Sequence, residues 1–137
     1  MSTVRRLLAL ASVCALGVAV AACGNSGNGS ATSTTSISGT SVPNNVPNQD
    51  AVRTDVTMST CAPAHGGWSA GGTIKNTLGH DATYQITIFF TSAQASDLAY
   101  GQTSTTVKAR QSGPWTVTAT FDAPSTVRCV LRGVAAS

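Results

Sequence analysis

A chain of 137 residues, 42% apolar, 5% aromatic and 9% charged, has room for one small domain beyond a leader and a linker, not two. It contains no Glu, which argues against a coiled coil or a long salt-bridged helix. The formal charge of +3 includes Arg5 and Arg6 of the leader. Beyond them Arg53, Lys75, Lys108, Arg110, Arg128 and Arg132 are set against Asp50, Asp55, Asp81, Asp97 and Asp122, and so balanced a set gives no basis for nucleic acid as a partner.

Residues 1–22 read as a helical signal peptide. A positive start with Arg5 and Arg6 precedes an apolar run from Leu7 to Ala22. That run is shorter than the roughly 20 residues a membrane span needs, and it ends in small residues, as export signals do. Val20-Ala21-Ala22-Cys23 resembles the bacterial lipobox. The resemblance implies a thioether-linked diacylglyceryl group on Cys23, cleavage before it and acylation of the new amine. Two or more acyl chains, at about 0.8 kcal/mol per buried CH₂, hold such a protein on a bilayer. Cys14 leaves with the signal. No later run is apolar enough to span a membrane. The expected location is the extracytoplasmic face of the bacterial cell membrane, with the membrane itself a partner through the lipid on Cys23.

Residues 23–50 follow as the lipidated Cys and a linker dominated by Gly, Ser, Thr, Asn and Pro, with the low-complexity run Ser30–Ser36. Such a composition predicts disorder, because too little apolar area is available to offset the ordering entropy. A flexible chain of that length reaches roughly 30 Å. Its Ser and Thr cluster offers sites for O-linked sugars.

The domain proper is expected at 51–137 and reads as all-β. Alternation with period two runs through Val52–Met58, Trp68–Lys75, Thr83–Thr91, Thr103–Ala109, Trp115–Phe121 and Val127–Leu131. Turn residues separate these runs, at 62–67, 76–81, 94–101, 110–114 and 122–125. Six or seven short antiparallel strands predict a small β-sandwich. Gln94–Tyr100 offers one helical turn at most.

Cys61 and Cys129 are the two cysteines of the domain. In an exported chain such a pair predicts a disulfide, worth about 4 kcal/mol on the chain-entropy model for a loop of that length. His65 and His80 are the only histidines, and no metal-ligand spacing occurs. No metal and no cofactor is expected.

Gly72-Thr-Ile74-Lys-Asn76, Tyr84-Gln-Ile86-Thr-Ile88-Phe-Phe90, Val107 and Gly113 together resemble the FxLYD-type domain. That family is a small immunoglobulin-like β-sandwich frequent in bacterial surface lipoproteins. The resemblance covers Gly72 to Phe121. It implies the sandwich and a place on the cell surface, and it carries no shared catalytic residues. The Ala- and Thr-rich, Lys-poor composition resembles that of an actinobacterial protein.

Two motifs bear on chemistry. Gly67-Trp68-Ser69-Ala70-Gly71 fits G-x-S-x-G, the setting of a nucleophilic serine at a strand-to-helix turn. Here a strand pattern follows instead, so a Gly-rich strand with Ser69 facing solvent is the expectation. Trp68, Tyr84, Phe90, Trp115 and Phe121 fall in phase with apolar neighbours and belong in the core. Phe89 and Val130 are out of phase and, with Arg128 and Arg132, predict an outer face with an exposed apolar group ringed by cations. Such a face is a candidate interaction surface. The expected function is a non-enzymatic binding or structural module of the cell envelope whose partner is an unknown envelope protein or polymer. The alternatives are a small serine hydrolase using Ser69 and a carrier of an apolar ligand between the sheets.

Overall fold

Alternating strands have one apolar face each, and burying those faces requires two sheets laid against one another. The computed structural model describes residues 35–137 and shows that arrangement. The expected signal peptide, Cys23 and the linker as far as residue 34 lie outside the described residues. In chain order come β1 (Thr35–Gly39), α1 (Asp50–Arg53), β2 (Val56–Ala64), β3 (Gly67–Lys75), β4 (Ala82–Thr91), β5 (Asp97–Val107), β6 (Ser112–Thr120) and β7 (Arg128–Ala136). All pairings are antiparallel. One sheet has the order β1-β5-β4-β7 and the other β2-β3-β6. The chain crosses between sheets from β1 to β2, from β3 to β4, from β5 to β6 and from β6 to β7. The protein is therefore an all-β sandwich of seven strands, as the alternation predicts.

The core follows the alternation closely. Trp68, Ala70 and Ile74 of β3 meet Tyr84, Ile86, Ile88 and Phe90 of β4 and Trp115, Val117 and Ala119 of β6. Phe121 lies 5.8 Å from Phe90, centroid to centroid. Trp115 extends beneath β3, and its Nε1 donates to the Thr57 carbonyl of β2 at 3.2 Å. Gly72, paired with both Trp115 and Met58, makes room. A Cβ there would strike the Thr57 carbonyl oxygen.

The disulfide forms as expected. Cys61 of β2 and Cys129 of β7 have Cα atoms 5.8 Å apart, so the bridge fastens the two sheets along one edge of the sandwich. At the other edge β5 faces β6.

Three local expectations change. Residues 35–50 are not a disordered linker. β1 pairs with β5 from Thr35↔Ser104 to Gly39↔Tyr100, and residues 46–49 run along β7. There Gln49 N–H donates to the Val134 carbonyl at 2.7 Å, and Gly133 lets Val46 and Pro47 approach its backbone. Composition hides this because backbone hydrogen bonds to a free strand edge do not need apolar side chains. Second, Val52 lies in α1, not in a strand; the short helix turns its one buried side chain onto the core. Third, residues 62–64, Gly67, 97–101 and 112–114 belong to strands. The turns shrink to His65-Gly66 and to Ser92–Ser96, closed by Ser92 N–H donating to the Ser96 carbonyl.

Candidate functional site

The outer face of the larger sheet brings together the four residues singled out for an interaction surface. Val130 pairs directly with Phe89, and Arg128 with Thr91. The register steps from Thr87↔Gly133 to Ile88↔Leu131, leaving Arg132 as the extra residue of a bulge, which re-aims a side chain and kinks a strand. The Arg132 guanidinium stands 5.8 Å from the centre of the Phe89 ring, within cation–π range.

Phe89 itself is not exposed, which corrects the expectation. It retains 6% of its accessible surface. Directly opposed residues on one face sit about 5 Å apart at Cβ, and here they are Tyr100 on one side and Val130 on the other. With Arg132 above, the ring is closed in. The exposed apolar group is Val130, at 42%. The same bulge presents the carbonyls of Leu131 and Arg132 to the Arg53 guanidinium, which also donates to Asn48 Oδ1 at 2.9 Å. Arg53 thus ties the segment before β2 to the bulge. Sequence reasoning had no signal for it.

Ser69 lies mid-strand in β3, between β2 and β6, with the strand continuing to Lys75. Its hydroxyl donates to the Val117 carbonyl and accepts from Thr118 Oγ1, both at 3.3 Å. Among the described residues no imidazole is hydrogen-bonded to it, whereas nucleophilic serines are activated by an adjacent base.

The space between the sheets is filled by the core side chains. A cleft of about 440 Å³ opens instead at the β5–β6 edge, over Val107, Lys108, Gln111, Pro114 and Trp115. It lies beside the turns at 76–81 and 108–111, which the sequence marks as turns but not as a site. Lys108–Gln111 is closed by Gln111 N–H donating to the Lys108 carbonyl at 3.0 Å. Arg110, third in this turn, has φ +62°, the sign that a type II turn requires there. Lys75, at the end of β3, pairs with Ser112, and Asn76 N–H donates to the Gln111 carbonyl at 2.9 Å. Lys75, Lys108 and Arg110 therefore stand at one pole of the sandwich, all exposed. Distant in sequence, they are collected by the register of β3 with β6.

A buried polar network fixes that pole. Asn76 Nδ2 reaches the carbonyls of His80, Val107 and Lys108 at 3.0, 2.9 and 3.2 Å, and its Oδ1 accepts from Leu78 N–H at 2.9 Å. It thereby clamps the β3–β4 loop to the β5–β6 turn. Asp81 Oδ1 accepts from Ala109 N–H at 2.8 Å. Below them Asp55, buried, receives the Tyr84 hydroxyl at 2.7 Å on Oδ2 and the Thr77 hydroxyl at 2.9 Å on Oδ1. Burial, the hydrogen bond to Asp55 and the charge of that carboxylate all push the Tyr84 phenol pKa well above its ordinary value.

Among the described residues no helix is long and apolar enough to cross a membrane. Nor does any group of three or more His, Cys, Asp or Glu come together there to hold a metal. No protein-family model, curated protein or solved structure matches this chain.

Proposed function

We propose that this protein is a lipid-anchored β-sandwich on the extracytoplasmic face of a bacterial membrane, acting as a binding or structural module of the envelope rather than as an enzyme. The observation that carries the reading is the pairing of β1 with β5. The chain following the lipobox-like Val20–Cys23 enters the sheet directly at Thr35. The domain is thereby built around its own attachment. The Cys61–Cys129 bridge accords with an oxidising compartment. The FxLYD-type likeness of Gly72 to Phe121 supports the same assignment to surface lipoproteins.

The Val130–Arg132 face is the proposed contact for an envelope protein or polymer, with Val130 as its apolar centre and Arg128 and Arg132 as its charged rim. Mass spectrometry of the chain recovered from membranes tests the anchor: the N-terminal peptide must begin at Cys23 and carry diacylglyceryl. Cross-linking on intact cells, with a control carrying only signal and linker, tests the module. A stoichiometric partner specific to the domain supports it, and labelling of Ser69 by a fluorophosphonate, lost in Ser69→Ala, would replace it with the hydrolase reading.

A further inference from the structure

We propose that the pole formed by Lys75, Lys108 and Arg110 docks on the anionic headgroups of the membrane to which the chain is anchored, so that the sandwich stands on its β5–β6 turn. The inference rests on the lipid anchor at Cys23 and adds the orientation of the domain and the chemistry of its contact.

Two independent observations meet at this pole. The first is where the chain enters. Thr35 pairs with Ser104, four positions before Lys108. At about 3.3 Å per residue, the entry point lies roughly 13 Å from the basic turn along β5. Thr35 is also only twelve positions after Cys23. Whatever its conformation, that length of chain spans at most about 40 Å. The opposite pole, with the His65-Gly66 turn, the Ser92–Ser96 turn and the β6–β7 loop, is farther from that entry point: Asp97, at the other end of β5, lies seven positions from Ser104, roughly 23 Å along the strand.

The second is charge. The anchored pole presents Lys75, Lys108 and Arg110, with His80 beside them. Its carboxylates are Asp55, the exposed Asp81 and, at the start of α1, Asp50, in the same helical turn as Arg53. Asp55 is buried under Tyr84 and Thr77, and Asp81 accepts from Ala109 N–H. The last residue, Ser137, is also at this end, with its backbone paired to Thr83. The far pole carries Asp97 and Asp122 against Arg128, with His65 nearby. Three exposed cations therefore cluster at the end where the chain enters, and the far end has no such cluster among the described residues. A basic residue close to an anionic leaflet is worth about 1 kcal/mol, or about fivefold in the ratio of docked to free. Three of them, on a domain already held close by its anchor, favour the docked orientation.

The test uses the full mature chain coupled through Cys23 to a maleimide lipid, on vesicles of phosphatidylcholine alone or mixed with phosphatidylglycerol. Amide exchange is followed by mass spectrometry. On the mixed vesicles, exchange at 76–81 and 108–112 slows, exchange at 92–96 and 121–127 does not change, and high salt removes the difference. K108Q weakens the protection about fivefold, and K75Q/K108Q/R110Q abolishes it. Equal exchange on both vesicles, or protection of the far pole, overturns the proposal. Protection by a soluble polyanion with none from anionic vesicles overturns it in favour of an envelope polymer. Chemical coupling makes the result independent of how the cell treats Cys23, so an unlipidated native chain would refute the anchor and leave the docking result readable.

Discussion

Replacing Tyr84 by Phe removes one hydroxyl and little else, because the ring is fully buried and keeps its packing. The lost hydrogen bond is 2.7 Å long and ends on a buried carboxylate. Bonds of that kind contribute about 1.5–3 kcal/mol. Thr77 still donates to Asp55, so the carboxylate is not stripped, and a loss of about 2 kcal/mol is expected. Urea unfolding followed by tryptophan fluorescence measures it. With a slope of about 1–2 kcal/mol/M for a domain of this size, the midpoint falls by about 1–2 M. The same hydroxyl predicts a pH effect. Its folded pKa is raised from the ordinary 10.0, so above that pH the unfolded chain gives up the proton first. Stability is then complete below about pH 10 and falls as pH rises further. Tyr84→Phe should lose that alkaline slope. A variant within about 0.5 kcal/mol of the parent at pH 7, or one with an unchanged alkaline slope, would refute the view that the Tyr84–Asp55 pair holds this pole together.

Removing the bridge with Cys61→Ala and Cys129→Ala should cost about 4 kcal/mol, with a steeper urea slope as the denatured chain expands; a loss under about 1 kcal/mol contradicts the entropic account. Gly72→Ala must push β2 away from β3 and break the Trp115–Thr57 hydrogen bond. It should lose about 2 kcal/mol or more and alter tryptophan emission, whereas Gly79→Ala, with open space around it, stays within about 0.5 kcal/mol. Phe89→Ser should destabilise by about 3 kcal/mol because the ring is enclosed. Val130→Asp leaves stability nearly unchanged and is the substitution that should abolish cross-linking to an envelope partner; capture at parental levels would remove this face from consideration.

Period-two alternation was enough to place β3, β4 and β6 and the in-phase core from Trp68 to Val117, because each of those strands buries one face against the opposite sheet. It fails where a strand is covered on both faces. In β4 the run from Ile86 to Thr91 is wholly buried, since neighbours on both sides close over Thr87 and Phe89, and a residue out of phase is then not an exposed one. Val52 fits a strand pattern and a single helical turn equally well, so a short segment ending in Arg53 was ambiguous by periodicity alone. The paired cysteines were legible because redox compartment and count constrain them. β1 was invisible because Ser36-Ile37-Ser38 has little apolar content and owes its place to the free edge of β5. The basic pole was equally hidden, since Lys75 and Lys108 become neighbours only through the register Lys75↔Ser112.

The insertion of β1 into the sheet also decides how the domain bears load. The chain enters β1 at Thr35 and runs antiparallel to β5 over five residue pairs. Tension along the strand axis therefore shears those hydrogen bonds together instead of peeling them one at a time. Should they yield, the next grip is the Gln49–Val134 bond with Arg53 on the bulge carbonyls. Between the two lies slack from Thr40 onward. Releasing β1 would free the described chain from Thr35 to Asn48 while the disulfide-fastened sheets stay closed. The strand is in effect a mechanical fuse, yielding to a pull on the segment that precedes β2 before the fold is drawn apart.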